Sequence, residues 1–518
     1  MLNLINKLSP YLGIESRRRI DKGVAFCFTV FSALCALASI YQFLQLPFKI
    51  IAFYAIVAGL SFIGVSWYLF QLARRYDTYC WVSIIFLAAL LVRVGVIVFS
   101  PFTNLFVDIG SDQDMGQLIA NGINSYNFND GVALRSQFRL DERAYNFFSA
   151  KSQANWNYHA GGHLPFFELL MGYTELLYPS LYTYRFVFAW VDSLVCVGVL
   201  LIVSRLWVLP SQGYFRQKTG LAGLGNAHLT VLVAVAISVI SPIFIRSGTL
   251  IPNFKGTLTF LMLAAVFFSY QSAYRQRVVL SAVFLGFSVS FMAMGFLAIP
   301  LVARNLYQRA ASRSQFFFDF ALYSLVALVS CFVWFLPFYE YILPMIQNRL
   351  GHGTTLPIHG SIWRFANLLT PQYWQTVKSG IVGLFIVIHL VGIWRKKLSL
   401  EVITASLFFL FLQLLTTDGS MDRLNIALMM CICLYGISQR SVYYTLVPLY
   451  FLGGAVSVAV SLWVGAFEKS FGYEPFEYSL TDSVFNTVFL VVYLCLIASI
   501  SFANSEKPQL ANLQGQEN

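Results

Sequence analysis

Long apolar runs separated by short polar stretches recur along the whole chain. Each run of about 20 residues can cross a bilayer core of about 30 Å as a helix rising 1.5 Å per residue. The runs are continuously apolar and do not alternate, so they do not fit the strands of a transmembrane barrel. Backbone polar groups in lipid must pair within their own segment, which leaves helices. The pattern predicts an all-α, polytopic transmembrane protein. Membrane helices are expected at roughly 24–46, 49–71, 78–100, 184–206, 229–247, 256–273, 316–338, 379–396, 401–416, 424–438, 442–466 and 484–503.

One apolar stretch, 278–303, breaks the alternation. Basic clusters bound it on both sides, Arg275 and Arg277 before it and Arg304, Arg309 and Arg313 after it. Both ends then belong on one side of the membrane, and about 26 residues cannot cross about 30 Å twice. A pair of short half-helices bending near Met294–Gly295 is expected, buried among other helices. With that pair the expected count is about 13–14.

Basic residues set the orientation, because Lys and Arg favour cytoplasmic loops. Arg17, Arg18, Arg19 and Lys22 precede the first helix, Arg74 and Arg75 follow the second, and Arg395, Lys396, Lys397 and Arg440 mark later turns. The N-terminus and the polar C-terminal tail are expected in the cytoplasm. The long loops 101–183 and 339–378 are expected outside. The start does not read as a cleavable signal peptide, since a polar segment to Lys22 precedes an apolar run longer than an h-region. The expected organisation has four parts. An N-terminal segment with two helices (1–77) precedes a core carrying the first outer loop (78–338). The second outer loop and the last helices (339–503) follow, then a tail (504–518). No internal repeat of the kind found in many transporters is evident.

Composition agrees. Of 518 residues, 58% are hydrophobic and 11% charged, too little polar surface for a soluble protein of this length. The net charge of +11 raises nucleic acid as a partner. The positive charge lies in short inter-helix loops with no basic stripe of interleaved aromatics, so no nucleic-acid partner is expected. The eight cysteines fall in or beside apolar runs and match no zinc or CxxC spacing; they are expected to pack.

The first outer loop carries Asp108, Asp112 and Asp114. Ser111-x-x-Asp114 is a capping-box-like start. The helix it begins is expected to run to about Asn121, with Gly122 as a good C′ residue. Asp114 therefore has a structural task at orphan N–H groups, and Asp112 shares it in part. Asp108 has none: it follows the third helix at the membrane surface, where a carboxylate can take a proton from a hydroxyl. An EF-hand reading fails, because Gly110 is misplaced and Ile119 stands where the bidentate Glu belongs. His159 and His163 are four apart, but Gly161 and Gly162 intervene, so a helical metal pair is not expected. No metal motif stands out, and no cofactor is certain; the acidic loop leaves a divalent cation open. The segment Phe166–Tyr178 fits the membrane interface.

Two charges fall inside apolar runs. Arg93 and Asp192 lie at similar depth on consecutive core helices, and intramembrane charges are costly and usually paired or functional. An Arg93–Asp192 ion pair tying the loop-bearing helices is expected.

These features together resemble the GT-C superfamily, membrane glycosyltransferases that use a sugar linked to a polyprenyl phosphate. There a helix with an internal Arg runs out to an acidic residue, followed by an amphipathic helix and a G-x-x-P-Y-like turn. Here residues 108–126 read D-I-G-S-D-Q-D-M-G-Q-L-I-A-N-G-I-N-S-Y, with Ser125 in place of the Pro. The spacing of Asp108 and Asp114 to the glycine is similar to that in the first mannosyltransferases of GPI-anchor synthesis. Tyr158–Pro165 resembles the family's next element, and Arg185 and Asp192 repeat its basic and acidic residues seven apart. The chain departs in its two extra N-terminal helices, in Gly110 within the DxD, and in Met292 near the place of a Lys.

The resemblance implies a hexosyltransferase. It would move a mannose-like hexose from a polyprenyl-phosphate donor to a glycan, lipid or protein acceptor by inverting displacement. Asp108 would be the general base, with Asp112 and Asp114 as alternatives. The leaving phosphate needs positive charge, and Arg246, Lys255, His352, His359, Arg364 and Arg423 are the candidates facing the same compartment. His359 and Arg364 cluster in one segment. The expected setting is a bacterial inner membrane with the active site on its outer face. Two other readings are a surface polysaccharide polymerase or ligase, and a transporter or flippase without chemistry.

Overall fold

Membrane-length helices account for most of what the computed structural model describes, namely residues 14–45, 49–76, 81–99, 115–127, 164–203, 239–240, 245, 248–249, 255–342, 363, 369 and 371–394. Among the described residues every regular element is helical. Five helices among them are long and apolar enough to cross a membrane: Glu15–Gln45, Ile50–Arg75, Trp81–Phe99, Tyr182–Leu200 and Arg313–Glu340. That is the composition of an integral membrane protein. The expected helices at 229–247 (apart from a few positions), 401–416, 424–438, 442–466 and 484–503 lie outside the described residues. The chain divides into two units, Met1–Arg349 and Leu350–Asn518. In the second unit the described helix is Trp374–Trp394.

The first unit begins with α1 (Ile14–Gln45), α2 (Ile50–Tyr76) and α3 (Trp81–Phe99). Helix α1 starts ten residues before the expected run. Hydropathy marks the lipid-facing length, while Glu15, Arg17, Arg18, Arg19 and Lys22 include good helix formers that carry the helix beyond it. Its charged end is tied to its neighbours. Arg74 grips Asp21 in a fork, Nε to Oδ1 at 2.7 Å and Nη2 to Oδ2 at 2.6 Å, the geometry that makes such pairs strong. Ser83 of α3 donates to the same carboxylate at 2.7 Å, and Arg17 sits 5.4 Å over the Trp81 ring.

Next come α4 (Pro165–Leu177) and α5 (Leu181–Val203). Phe28 of α1, Phe70 of α2, Phe86 of α3 and Trp190 of α5 form one aromatic cluster, with centroids 4.6 Å apart for Phe28–Phe70 and 5.0 Å for Phe86–Trp190. Lipid tails are as apolar as these rings, so close packing rather than exclusion from water favours the cluster. Helix α4 differs from expectation. Every residue from Pro165 to Leu176 is buried, so the segment does not present one face to an interface. A helix apolar nearly all round is a core helix, and α4 packs on α2 and also on α1 and α5.

The remaining elements are α6 (Lys255–Ser269), a π-helical stretch Arg275–Leu280, α7 (Ser281–Phe291), α8 (Ile299–Arg309) and α9 (Arg313–Phe332). The bend expected at Met294–Gly295 falls at Met292, which is extended at φ −157° and ψ 137°. A 3-10 stretch Ala293–Ala298 follows and folds back so that Gly295 lies against Ser288. The π turn Arg275–Leu280 runs into α7 without a break. Helix α9 starts on Ser312, whose hydroxyl accepts from Gln315 N at 3.1 Å. It continues as a 3-10 stretch Val333–Tyr341, where Pro337 lacks the N–H an α-helix needs.

Candidate functional site

The part of the first outer loop that the structure describes is a docked block, 115–127. Its helix, 115–120, ends in a Schellman motif: Gly122 N donates to Ile119 O at 2.9 Å and Ile123 N to Leu118 O at 2.8 Å. Gly122 has φ +72°, the left-handed conformation this cap needs and an L side chain resists. Lys49, just before α2, donates to Asn121 O at 2.7 Å, placing a cation at the negative end of the short helix. The turn continues through Asn124, whose Oδ1 accepts from Tyr126 N at 3.0 Å.

Four further contacts seat the block. A methyl group at Gly172 of α4 would overlap the Ile119 side chain, and one at Gly116 would overlap the Tyr184 hydroxyl. Tyr184 itself donates to Met171 O at 3.3 Å. Tyr126 stands edge-on to Phe338 at 5.0 Å and packs with Cys331 and Phe335. Ser125 and Glu168, both fully buried, are joined by a hydrogen bond from the hydroxyl to Oε2.

A second buried polar group lies between α3 and α5. Arg93 Nε is 3.8 Å from Asp192 Oδ2, and both side chains are fully buried. Arg93 Nη1 also donates to Ala89 O at 3.2 Å and Val239 O at 3.4 Å. The Asp192 carboxylate fills the space a side chain would take at Gly248 and at Gly256. Two helical turns away on α5, Arg185 Nε donates to Thr249 O at 2.8 Å. Residues seven apart share a helix face, and here that face meets Gly248, Thr249 and Gly256. In a low-dielectric interior such a pair repays its desolvation only with good geometry and further hydrogen bonds. The two carbonyl acceptors of Arg93 supply part of that.

The structure thus brings together Arg93 and Asp192. Lys255 is the first residue of α6. Asp108, Asp112, Asp114, Arg246, His352, His359, Arg364 and Arg423 lie outside the described residues, as do His159 and His163. Among the described residues no three His, Cys, Asp or Glu side chains gather as a metal site. Sequence reasoning missed Glu168, Ser125 and Lys49. A signal for Glu168 existed: a glutamate within the apolar run Phe166–Tyr178 is costly unless something partners it.

No protein-family model matches the chain. No curated protein matches it either.

Proposed function

We propose that the protein is a membrane glycosyltransferase that moves a hexose from a polyprenyl-phosphate donor to an acceptor hydroxyl. The acceptor oxygen attacks the anomeric carbon, and the bond from that carbon to the lipid phosphate breaks. Asp108 takes the hydroxyl proton, and polyprenyl phosphate leaves with the bonding electron pair. Arg246, Lys255, His352, His359, Arg364 and Arg423 are the candidate cations for its charge. In this reading the fold is GT-C-like. The elements on either side of Met292 form the re-entrant pair, and the acidic loop opens on the outer face of a bacterial inner membrane, with both termini cytoplasmic.

The observation that carries the reading is the docked block 115–127. It follows Asp108, Asp112 and Asp114 directly in the chain, and its Schellman turn and buried Ser125–Glu168 bond seat the segment that leaves those acids. Catalysis by a positioned base needs such seating. A transporter reading draws on a different observation, the buried Arg93–Asp192 pair, since such charges also mark transport paths.

Incubating the purified protein with a panel of polyprenyl-phosphate sugars, together with acceptor lipids and glycans, separates the two. Consumption of one donor with release of polyprenyl phosphate is the expected result. No turnover of any donor, with sugar-lipid translocation in proteoliposomes, would replace this reading with the transporter.

A further inference from the structure

Every residue of helix α4 from Pro165 to Leu176 is buried, and among them is Glu168 at 0% exposure. A buried carboxylate adds no packing that Leu or Met would not add, and it costs desolvation. Its described partner is the hydroxyl of Ser125, itself at 0% exposure and 43 positions earlier in the chain. Ser125 begins the 3-10 turn Ser125–Asn127 that closes the docked block, and Glu168 lies in the first turn of α4. The bond therefore joins the two ends of the stretch between them.

We propose that Glu168 is the positioning residue of the acidic loop. Its carboxylate clasps the Ser125 turn and fixes the block from which the chain runs back, through Met115, to Asp114, Asp112 and Asp108. The proposal rests on the glycosyl-transfer reading for its catalytic consequence, and on the geometry alone for its structural one. The other ties to the block differ in kind. Lys49 holds a carbonyl from the block's rim, where it is exposed. Ile119, Gly116 and Tyr126 make apolar or van der Waals contacts, which permit sliding. The Ser125–Glu168 bond is a directional tie in the interior, and it sets register because a buried hydroxyl that loses a partner is expensive. Glu168 touches no substrate in this scheme; it acts through the block.

The test uses the full-length purified protein with Glu168→Ala, Glu168→Gln and Ser125→Ala. Amide hydrogen exchange is followed over 115–127, and kcat and KM are measured on the donor that wild type consumes. Glu168→Ala is expected to speed exchange in 115–127 about tenfold or more, with α1 and α9 unchanged. It is also expected to lower kcat about tenfold or more, with donor KM within about threefold. Glu168→Gln keeps an amide oxygen for the Ser125 hydroxyl and should restore both readouts to within about threefold of wild type. Ser125→Ala removes the same bond from the other side, and should repeat the local exchange change if Glu168→Ala fails to fold. Unchanged exchange in both Ala variants would overturn the proposal. So would a Glu168→Gln variant as impaired as Glu168→Ala. If wild type consumes no donor, the glycosyl-transfer reading fails by itself, and the exchange measurements still decide what Glu168 does.

Discussion

Two buried carboxylates in this protein serve opposite ends. Asp192 sits between helices, 3.8 Å from a guanidinium and wedged where side chains at Gly248 and Gly256 would be. Glu168 also sits in a helix, but its described partner is a neutral hydroxyl on an outer-loop turn. The first is a charge neutralised within the scaffold. The second, in the role proposed for it, holds a loop. Removing the partner of the first strands an ion in a dry interior, so the cost falls on stability. Removing the partner of the second leaves the helices packed and frees the block, so the cost falls on whatever the loop does.

The largest stability effect should come from Arg93→Ala. With Asp192 left unpaired, the loss is expected to be about 3–5 kcal/mol, read as a fall in the thermal midpoint in detergent. The double variant with Asp192→Asn should recover part of that loss, because the stranded charge is gone. A loss in the double variant equal to the sum of the single losses would mean the two residues do not work as a pair. Next is Gly256→Ala. A methyl group there meets the Asp192 carboxylate, and overpacking of this kind costs about 1–3 kcal/mol. At the loop, Gly122→Ala should cost about 1 kcal/mol, since the residue holds φ +72°; faster exchange confined to 115–127 is the readout. The smallest effect is expected from Lys49→Met. That change removes a hydrogen bond to Asn121 O and a cation at a helix end, worth about 0.3–1 kcal/mol at an exposed site. If Lys49→Met loosened 115–127 more than Gly122→Ala does, the rim rather than the turn would hold the block.

The sequence is unequal in what it reveals about these two carboxylates. Similar depth on consecutive helices is enough to pair Arg93 with Asp192, because an intramembrane charge has few partners within reach. Gly122 is likewise readable, since a short helix needs a C′ residue of positive φ. Gly248 and Gly256 are not, because their role depends on contacts with Asp192 across more than 50 residues of chain. The run Phe166–Tyr178 reads as an interfacial segment from its composition and proves buried from Phe166 to Leu176. Hydropathy cannot separate lipid from protein surroundings, as both are apolar. The charged start of α1 escaped for the converse reason: helix formation does not require an apolar run. The helix expected to bend at Met294–Gly295 breaks two residues earlier, at Met292, since local backbone decides where such a break falls.

In the proposed glycosyl-transfer reading, Asp108 of the acidic loop has a chemical task, while Asp114 and, in part, Asp112 have structural ones. The direct measurement is donor turnover by Asp108→Asn, Asp112→Asn and Asp114→Asn, each alongside its thermal midpoint. Loss of a general base typically costs about 10²–10⁴-fold. A loss of that size is expected for Asp108→Asn with an unchanged midpoint, while Asp114→Asn should lower the midpoint and retain turnover. Full turnover in Asp108→Asn, or the large loss appearing at Asp112 or Asp114 instead, would contradict the assignment.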